Sequence, residues 1–259
     1  MGLRVITATR GHSAHLAETV ASVAALGNGV QHVLVSPAEE VSGLQRKFPR
    51  STIVAESGGG LYAALNVGLA AGGDADVCTW INDDDVLCPA GLAIAWRQLE
   101  NGSLGIIYGR VGLMAASGAR LGEVPVAHRP SDLAALLAAG IMPLAQPGTL
   151  VRREVLARLG SFDASYRLAG DLDFFVRALG AGVSFGFIDA EVARFRLHAG
   201  QLSKDEAAAR RERDRAVAGL TATPTLGSRL RFRADNLAVY LERVRRHGFV
   251  RMETLYRHD

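Results

Sequence analysis

The sequence predicts an open α/β sheet, mixed but mostly parallel, with a helical appendage at its C-terminus, and three observations predict it. Short apolar runs of strand character alternate with helical patterns from residue 3 to about residue 100. Hydrophobic residues make up 49% of the 259 residues and glycine contributes 29, a balance suited to an α/β domain able to bury a full core. From about Ser203 onward the pattern turns helical and rich in arginine.

Residues 3–9 (LRVITAT) read as the first strand, and Ser13 as the N-cap of a helix over HLAETVASVAAL. A second strand, His32 to Val35, leads through Ser36 and Pro37 into a helix ending at Lys47. A third, Thr52 to Ala55, ends at Glu56 before the loop Ser57-Gly58-Gly59-Gly60 and the helix LYAALNVGLAAG. That loop could cradle phosphate at a helix N-terminus, but its glycines lack dinucleotide-binding spacing and suit a plain turn equally. Residues 76–82 (DVCTWIN) form a fourth strand. Successive βα units require crossover connections and place Thr9, Arg10, Ser36 and Glu56 on one ligand edge.

After a helix from Pro89 to Glu100, LGIIYGRVGLM and the stretch near Leu121 to Val126 read as a hairpin or edge strands. Ser131 caps a short helix, Pro143 and Pro147 mark a loop, and GTLVRR then REVLARLG give a strand and a helix. The spacing of Leu172, Phe175, Val176 and Leu179 predicts a helix with Asp171 at its N-terminus, where a carboxylate also serves as an ordinary cap. Two strands, Val183 to Ile188 and Val192 to Leu197, precede His198. In the tail, Leu226, Leu230, Leu237, Leu241 and Val244 line one helix face among arginines. That face is expected to pack on the body or pair two subunits in a homodimer, ahead of lying on an anionic membrane surface.

Charge and cysteine content narrow the function classes. From Lys204 onward there are 13 basic and 8 acidic residues, against 16 and 18 before it. Aromatic residues among these arginines are few (Phe232, Tyr240, Phe249 and Tyr256) and form no series of stacking platforms, so nucleic acid is not the expected partner. Cys78 and Cys88 match neither zinc nor redox spacing and read as reduced, Cys78 in the core. No run is long enough to span a membrane and no leader precedes the first strand, so a cytoplasmic protein is expected, with its inner-membrane face as a peripheral location.

The chemistry centres on WINDDDVL, Trp80 to Leu87, where an apolar strand stops at Asp83, Asp84 and Asp85. Three adjacent carboxylates repel unless a cation or hydrogen-bond donors compensate. Hard oxygen ligands suit Mg²⁺ or Mn²⁺ carrying phosphates. Taken alone, an acidic turn capping the helix near Pro89 is an equal reading, with Asp85 as the cap.

Four stretches in order resemble the family 2 glycosyltransferases of the GT-A fold, over about Arg4 to Ser203. They are VITATRGH, ESGGGLYAALNVGLAAGGDADVCTWINDDDVL, PGTLVRREVLARLGSFDASYRLAGDLDFFVRAL and FRLHAGQLS. Ala8, Arg10 and Gly11 stand where the family usually has Pro, Tyr and Asn, Ser36-Pro37 where it has an acidic residue, and Gly58 where many relatives have Asp. The resemblance implies a catalytic domain over 1–203, with a nucleotide-sugar half (1–88) and an acceptor half (89–203), and an extension over 204–259. It implies that Asp85 ligates Mn²⁺ or Mg²⁺, with His198 reaching the metal or the diphosphate. Thr7, Thr9, Arg10, Glu56, Tyr62, Asn66, Asp83 and Asp84 would hold the donor, a UDP-sugar. Asp171 would be the catalytic base, preceded by Gly170 where the family often has Glu, with Asp173 supporting the helix start. The implied activity is inverting, metal-dependent transfer of a sugar to a saccharide or lipid-linked acceptor. Two alternatives stand beside it: a sugar-1-phosphate nucleotidyltransferase, whose glycine-rich first loop is poorly matched by ATRGHSA, and a nucleotide-sugar-binding protein without turnover.

Overall fold

The computed structural model describes residues 2–198 and 206–248. The expected domain boundary at 203/204 and the last residues of FRLHAGQLS lie outside the described residues. The chain opens with β1 (Leu3–Ala8), α1 (Leu16–Ala24), β2 (Val30–Pro37), α2 (Val41–Lys47), β3 (Thr52–Glu56), α3 (Leu61–Ala70) and β4 (Val77–Trp80). Then follow β5 (Val86–Leu87), α4 (Pro89–Asn101), β6 (Ile106–Ala115), β7 (Arg120–Glu123), α5 (Leu133–Ala138), β8 (Leu150–Arg152), α6 (Arg153–Leu159), α7 (Gly170–Gly180) and β9 (Phe185–Leu197). Three helices close the described chain: α8 (Glu206–Val217), α9 (Leu226–Asp235) and α10 (Leu237–His247).

The strands form one nine-stranded sheet in the order β3-β2-β1-β4-β8-β6-β9-β5, with β7 beside β6. β3, β2, β1 and β4 are mutually parallel, as their helical crossovers require. β8 runs antiparallel between β4 and β6, which makes the sheet mixed. Helix α3 lies close on the sheet because position 68 is glycine: a Cβ there would stand 2.4 Å from Ile6 Cγ2. On that face Trp80 packs among Phe162, Phe174 and Phe175. On the other, Ile81, Leu92 and Leu99 form a second buried cluster. Cys78 is buried as expected.

Several local expectations change. β6 and β7 form the expected hairpin, but β6 is an interior strand rather than an edge, flanked by β8 and β9, and its nearly continuous apolar run is what burial on both faces demands. The two strands expected before His198 are one, β9, whose register against β6 shifts near Gly109 and Arg110. Ser13 does not cap α1; its hydroxyl donates to the Asp83 carbonyl at 2.9 Å and accepts from His15 N. Cys88, not Asp85, occupies the N-cap position of α4. Likewise Asp171 lies in the first turn of α7, with Ala169 at the cap position. The tail is not one helix: it breaks at Asn236, a buried side chain that bonds both Val126 N and Val126 O, at 2.9 and 2.8 Å.

Candidate active site

A cavity of about 750 Å³ opens at the carboxyl ends of β1 and β4. Ala8 ends β1, and His12, Ser13 and His15 follow in the loop to α1; Trp80, Asn82, Asp83 and Asp84 follow from β4. Tyr62 comes from α3, Asp171 from α7, His198 from the end of β9, and Gln146 and Arg167 from loops. Apolar side chains, among them Leu137, Met142, Leu144, Leu168 and Phe195, complete the walls. This is the strand edge at which open α/β sheets bind ligands.

The three aspartates divide by environment. Asp85 is fully buried: its Oδ1 accepts from Arg196 N at 2.8 Å and its Oδ2 from Asn82 Nδ2 at 3.1 Å. Burial and the neighbouring Asp84 carboxylate push its pKa well above the ordinary range. It does not line the cavity; it fastens the loop. Asp83 lines the cavity with one oxygen held by the Thr9 hydroxyl at 2.6 Å; burial raises its pKa and that bond opposes the rise. Asp84 lines the cavity too, with Oδ2 2.8 Å from His198 Nε2 and a buried Oδ1 that has no hydrogen-bond partner. An orphaned carboxylate oxygen beside an imidazole fits a divalent cation. Among the described residues no three His, Cys, Asp or Glu groups form a metal cage. An ion held here would take its other ligands from phosphate and water.

Arg196, not anticipated from the sequence, underpins this loop. It is 1% exposed, donating through Nε to Asp84 O at 2.7 Å and through Nη1 to Ala116 O at 2.9 Å, and it pairs with Glu18. A guanidinium so placed offsets the crowded carboxylates from beneath. His15 sits 5.8 Å from the His198 ring, its pKa lowered by burial and then by Arg196. The visible signals for these groups were two arginines, Arg194 and Arg196, alternating with apolar residues at the end of β9, and two histidines in the loop after β1. Gln146, which donates to Trp80 O, and Arg167 carried none.

Asp171 is half-buried, and its burial raises its pKa while Leu172 N (2.9 Å) and Tyr62 Oη (3.0 Å) donate to Oδ1 and oppose the rise. A carboxylate of raised pKa in a cavity wall suits proton abstraction from a bound hydroxyl. Glycine at 170 follows from Tyr62: a Cβ there would lie 2.7 Å from the Tyr62 ring. Asp173 instead pairs with Arg177 at 2.8 Å along the helix. From α8, the Glu212 carboxylate accepts from the N–H groups of Arg167, Leu168 and Ala169, fixing the entry to α7.

The other residues expected on the donor are not brought to the cavity. Thr7 is buried beneath it, bonded to His32 at 3.1 Å, and burial drives the His32 pKa down to about 4. The Thr9 hydroxyl donates to Asp83 and accepts from Gly11 N at 3.0 Å, so it shapes the loop without lining the cavity. Arg10 is exposed and does not line the cavity. Glu56 accepts from Gly58 N at 2.7 Å and shapes the glycine loop, which also stays outside the cavity walls. Asn66 holds Phe162 through both its N–H and C=O, at 2.9 and 2.8 Å.

No family model and no curated protein matches the sequence. Solved structures do. Residues 1–349 of S. aureus TarS in complex with UDP-GlcNAc superpose with a TM-score of 0.63 at 15% identity, covering 98% of this chain and 78% of that one. The same fragment in complex with UDP gives 0.59 at 14% identity, over 98% and 77%. The structure of S. aureus TarS without those limits gives 0.60, and this chain spans 46% of it. At such identity the likeness is one of backbone architecture, and it runs nearly end to end: the chain has the GT-A fold.

Proposed function

We propose that this protein is a glycosyltransferase of the family 2 type, moving a sugar from a nucleotide-diphosphate donor, a UDP-sugar, to an acceptor hydroxyl with inversion. One observation carries the reading: a single cavity holds the Asp84–His198 pair, with its orphaned carboxylate oxygen, and the Asp171 carboxylate of raised pKa. The complexes of the TarS fragment with UDP and UDP-GlcNAc support the donor class.

In this reading Asp84 and His198 would hold Mn²⁺ or Mg²⁺, which would supply positive charge for the departing diphosphate. Asp83 and the groups around it, Ser13, His12 and His15, line the donor's polar region. Asp171 takes the proton of the acceptor hydroxyl as that oxygen attacks the anomeric carbon, and the Tyr62 hydroxyl keeps the carboxylate aimed. One base on the acceptor side favours direct displacement, in contrast to the paired carboxylates of retaining chemistry. The apolar walls exclude water that would otherwise compete as acceptor. Asp85 is reassigned: with both oxygens engaged it positions the loop that presents Asp84.

Calorimetric titration of UDP and UDP-sugars, with and without Mn²⁺, tests the reading. Metal-dependent binding that Asp84→Ala abolishes is expected. Absence of binding for every nucleotide sugar would overturn it, and pyrophosphate release from a nucleoside triphosphate would redirect it to nucleotidyl transfer.

A further inference from the structure

Helices α9 and α10 are fastened to the body largely by polar side chains. Besides Asn236, Arg231 grips Asp132 at 2.9 Å, Asp235 pairs with Arg129 at 2.8 Å, and His247 meets Leu121 O at 2.8 Å. Phe232 does turn inward and is buried. The leucines face the other way: Leu226, Leu230, Leu237 and Leu241 are 73%, 55%, 56% and 60% exposed. At about 100° per residue, Leu226 and Leu230 share their face of α9 with Arg229 and Arg233, and Leu237 and Leu241 share theirs with Arg245. All three arginines are exposed. The carboxylates of these helices lie off that face, Asp235 paired with Arg129 and Glu242 with Arg246.

We propose that the outward face of α9 and α10 docks on an anionic lipid surface, the leucines entering the acyl boundary and Arg229, Arg233 and Arg245 meeting the headgroups. Charge decides the occupant. A second copy of this chain, paired through the same face about a twofold axis, would set arginines against arginines with no carboxylate on the face to answer them. A surface of negative headgroups supplies the missing sign along the whole face. No helix among the described residues is long and apolar enough to cross a membrane, so contact is along the surface. The two helices themselves adjoin the candidate active site through their inner sides: α10 bonds through Arg243 to Glu123 O, next to Val124 in the cavity wall, and α5, which packs on α9, contributes Leu137 to that wall.

The test is co-sedimentation of the full chain with phosphatidylcholine vesicles with and without phosphatidylglycerol, across a salt series, alongside light scattering of the protein alone. Binding to the phosphatidylglycerol vesicles that weakens with salt is expected. Leu230→Gln/Leu237→Gln/Leu241→Gln, at positions that are each more than half exposed, should weaken it by about tenfold or more. Arg229→Gln/Arg233→Gln/Arg245→Gln should remove most of the salt dependence. Equal affinity for neutral vesicles, no binding at low salt, a leucine variant that binds like the parent, or a dimer that this variant dissolves would each overturn the proposal.

Discussion

Replacing Tyr62 by phenylalanine isolates one hydrogen bond at the proposed base. The ring would keep its packing against Phe162, 5.6 Å between centroids, and its contact over Gly170, while the 3.0 Å donor to Asp171 Oδ1 disappears. A hydrogen bond to a charged group contributes about 1.5–3 kcal/mol, and about 1.4 kcal/mol corresponds to one pKa unit. The lost bond stabilised the carboxylate, so its pKa, already raised by burial, rises further, by about one to two units. A base must be ionised to act, so the acid limb of kcat/KM against pH should move upward by that amount. The plateau at higher pH should fall far less. The profile can be recorded by donor hydrolysis, in which water replaces the acceptor, at fixed free Mn²⁺. An acid limb that stays in place, or moves to lower pH, would refute the assignment of Asp171 as the base held by Tyr62.

Asp171→Asn should lower transfer by on the order of a hundredfold or more. The same change should stabilise the fold near neutral pH, because burial raises the native pKa above the unfolded one. The ionised form is then the costly form, and the gain should vanish as pH falls below the ordinary carboxylate range; thermal melts across pH read this directly. Asp84→Asn and Asp85→Ala should separate metal affinity from stability. The first should fold normally and lose the Mn²⁺ dependence of donor binding. The second should lose roughly 2–4 kcal/mol in urea denaturation by orphaning Arg196 N and Asn82 Nδ2. Glu212→Ala strips the acceptor from three N–H groups ahead of α7, and should lower both the midpoint of thermal unfolding and kcat, with Glu212→Gln in between.

The alternation of apolar runs and helical patterns carried the parallel half of the sheet, because each βα unit is a local pattern with its own turn chemistry. What stayed hidden was non-local. The insertion of β8 between β4 and β6 depends on pairings such as Cys78 with Val151, which no local periodicity encodes. The acidic run announced a site, but three consecutive aspartates look alike in sequence. Only the loop's path, with Arg196 N reaching Asp85 and His198 reaching Asp84, decides which carboxylate is consumed by the fold and which faces the cavity. Asn66 and Glu56 have donor-type chemistry yet are committed to Phe162 and Gly58, neighbours fixed by tertiary packing or by the turn itself. The leucines of the tail were legible as a stripe, but their direction was not. The polar anchors that turn them outward, Asn236 and Arg231, bind partners about a hundred residues away.

Gly170 and Tyr62 are physically coupled. Glycine at 170, where the resemblance leads one to expect Glu, leaves no second carboxylate beside the proposed base and opens the space that the Tyr62 ring occupies. With that ring in place, its hydroxyl reaches Asp171, so one neutral donor stands where a like charge would otherwise have raised the base's pKa by repulsion. Burial then supplies the upward shift instead, and the hydroxyl limits it. The two positions are therefore linked: a larger residue at 170 would displace Tyr62, and a displaced Tyr62 would leave Asp171 without the donor that holds its pKa down.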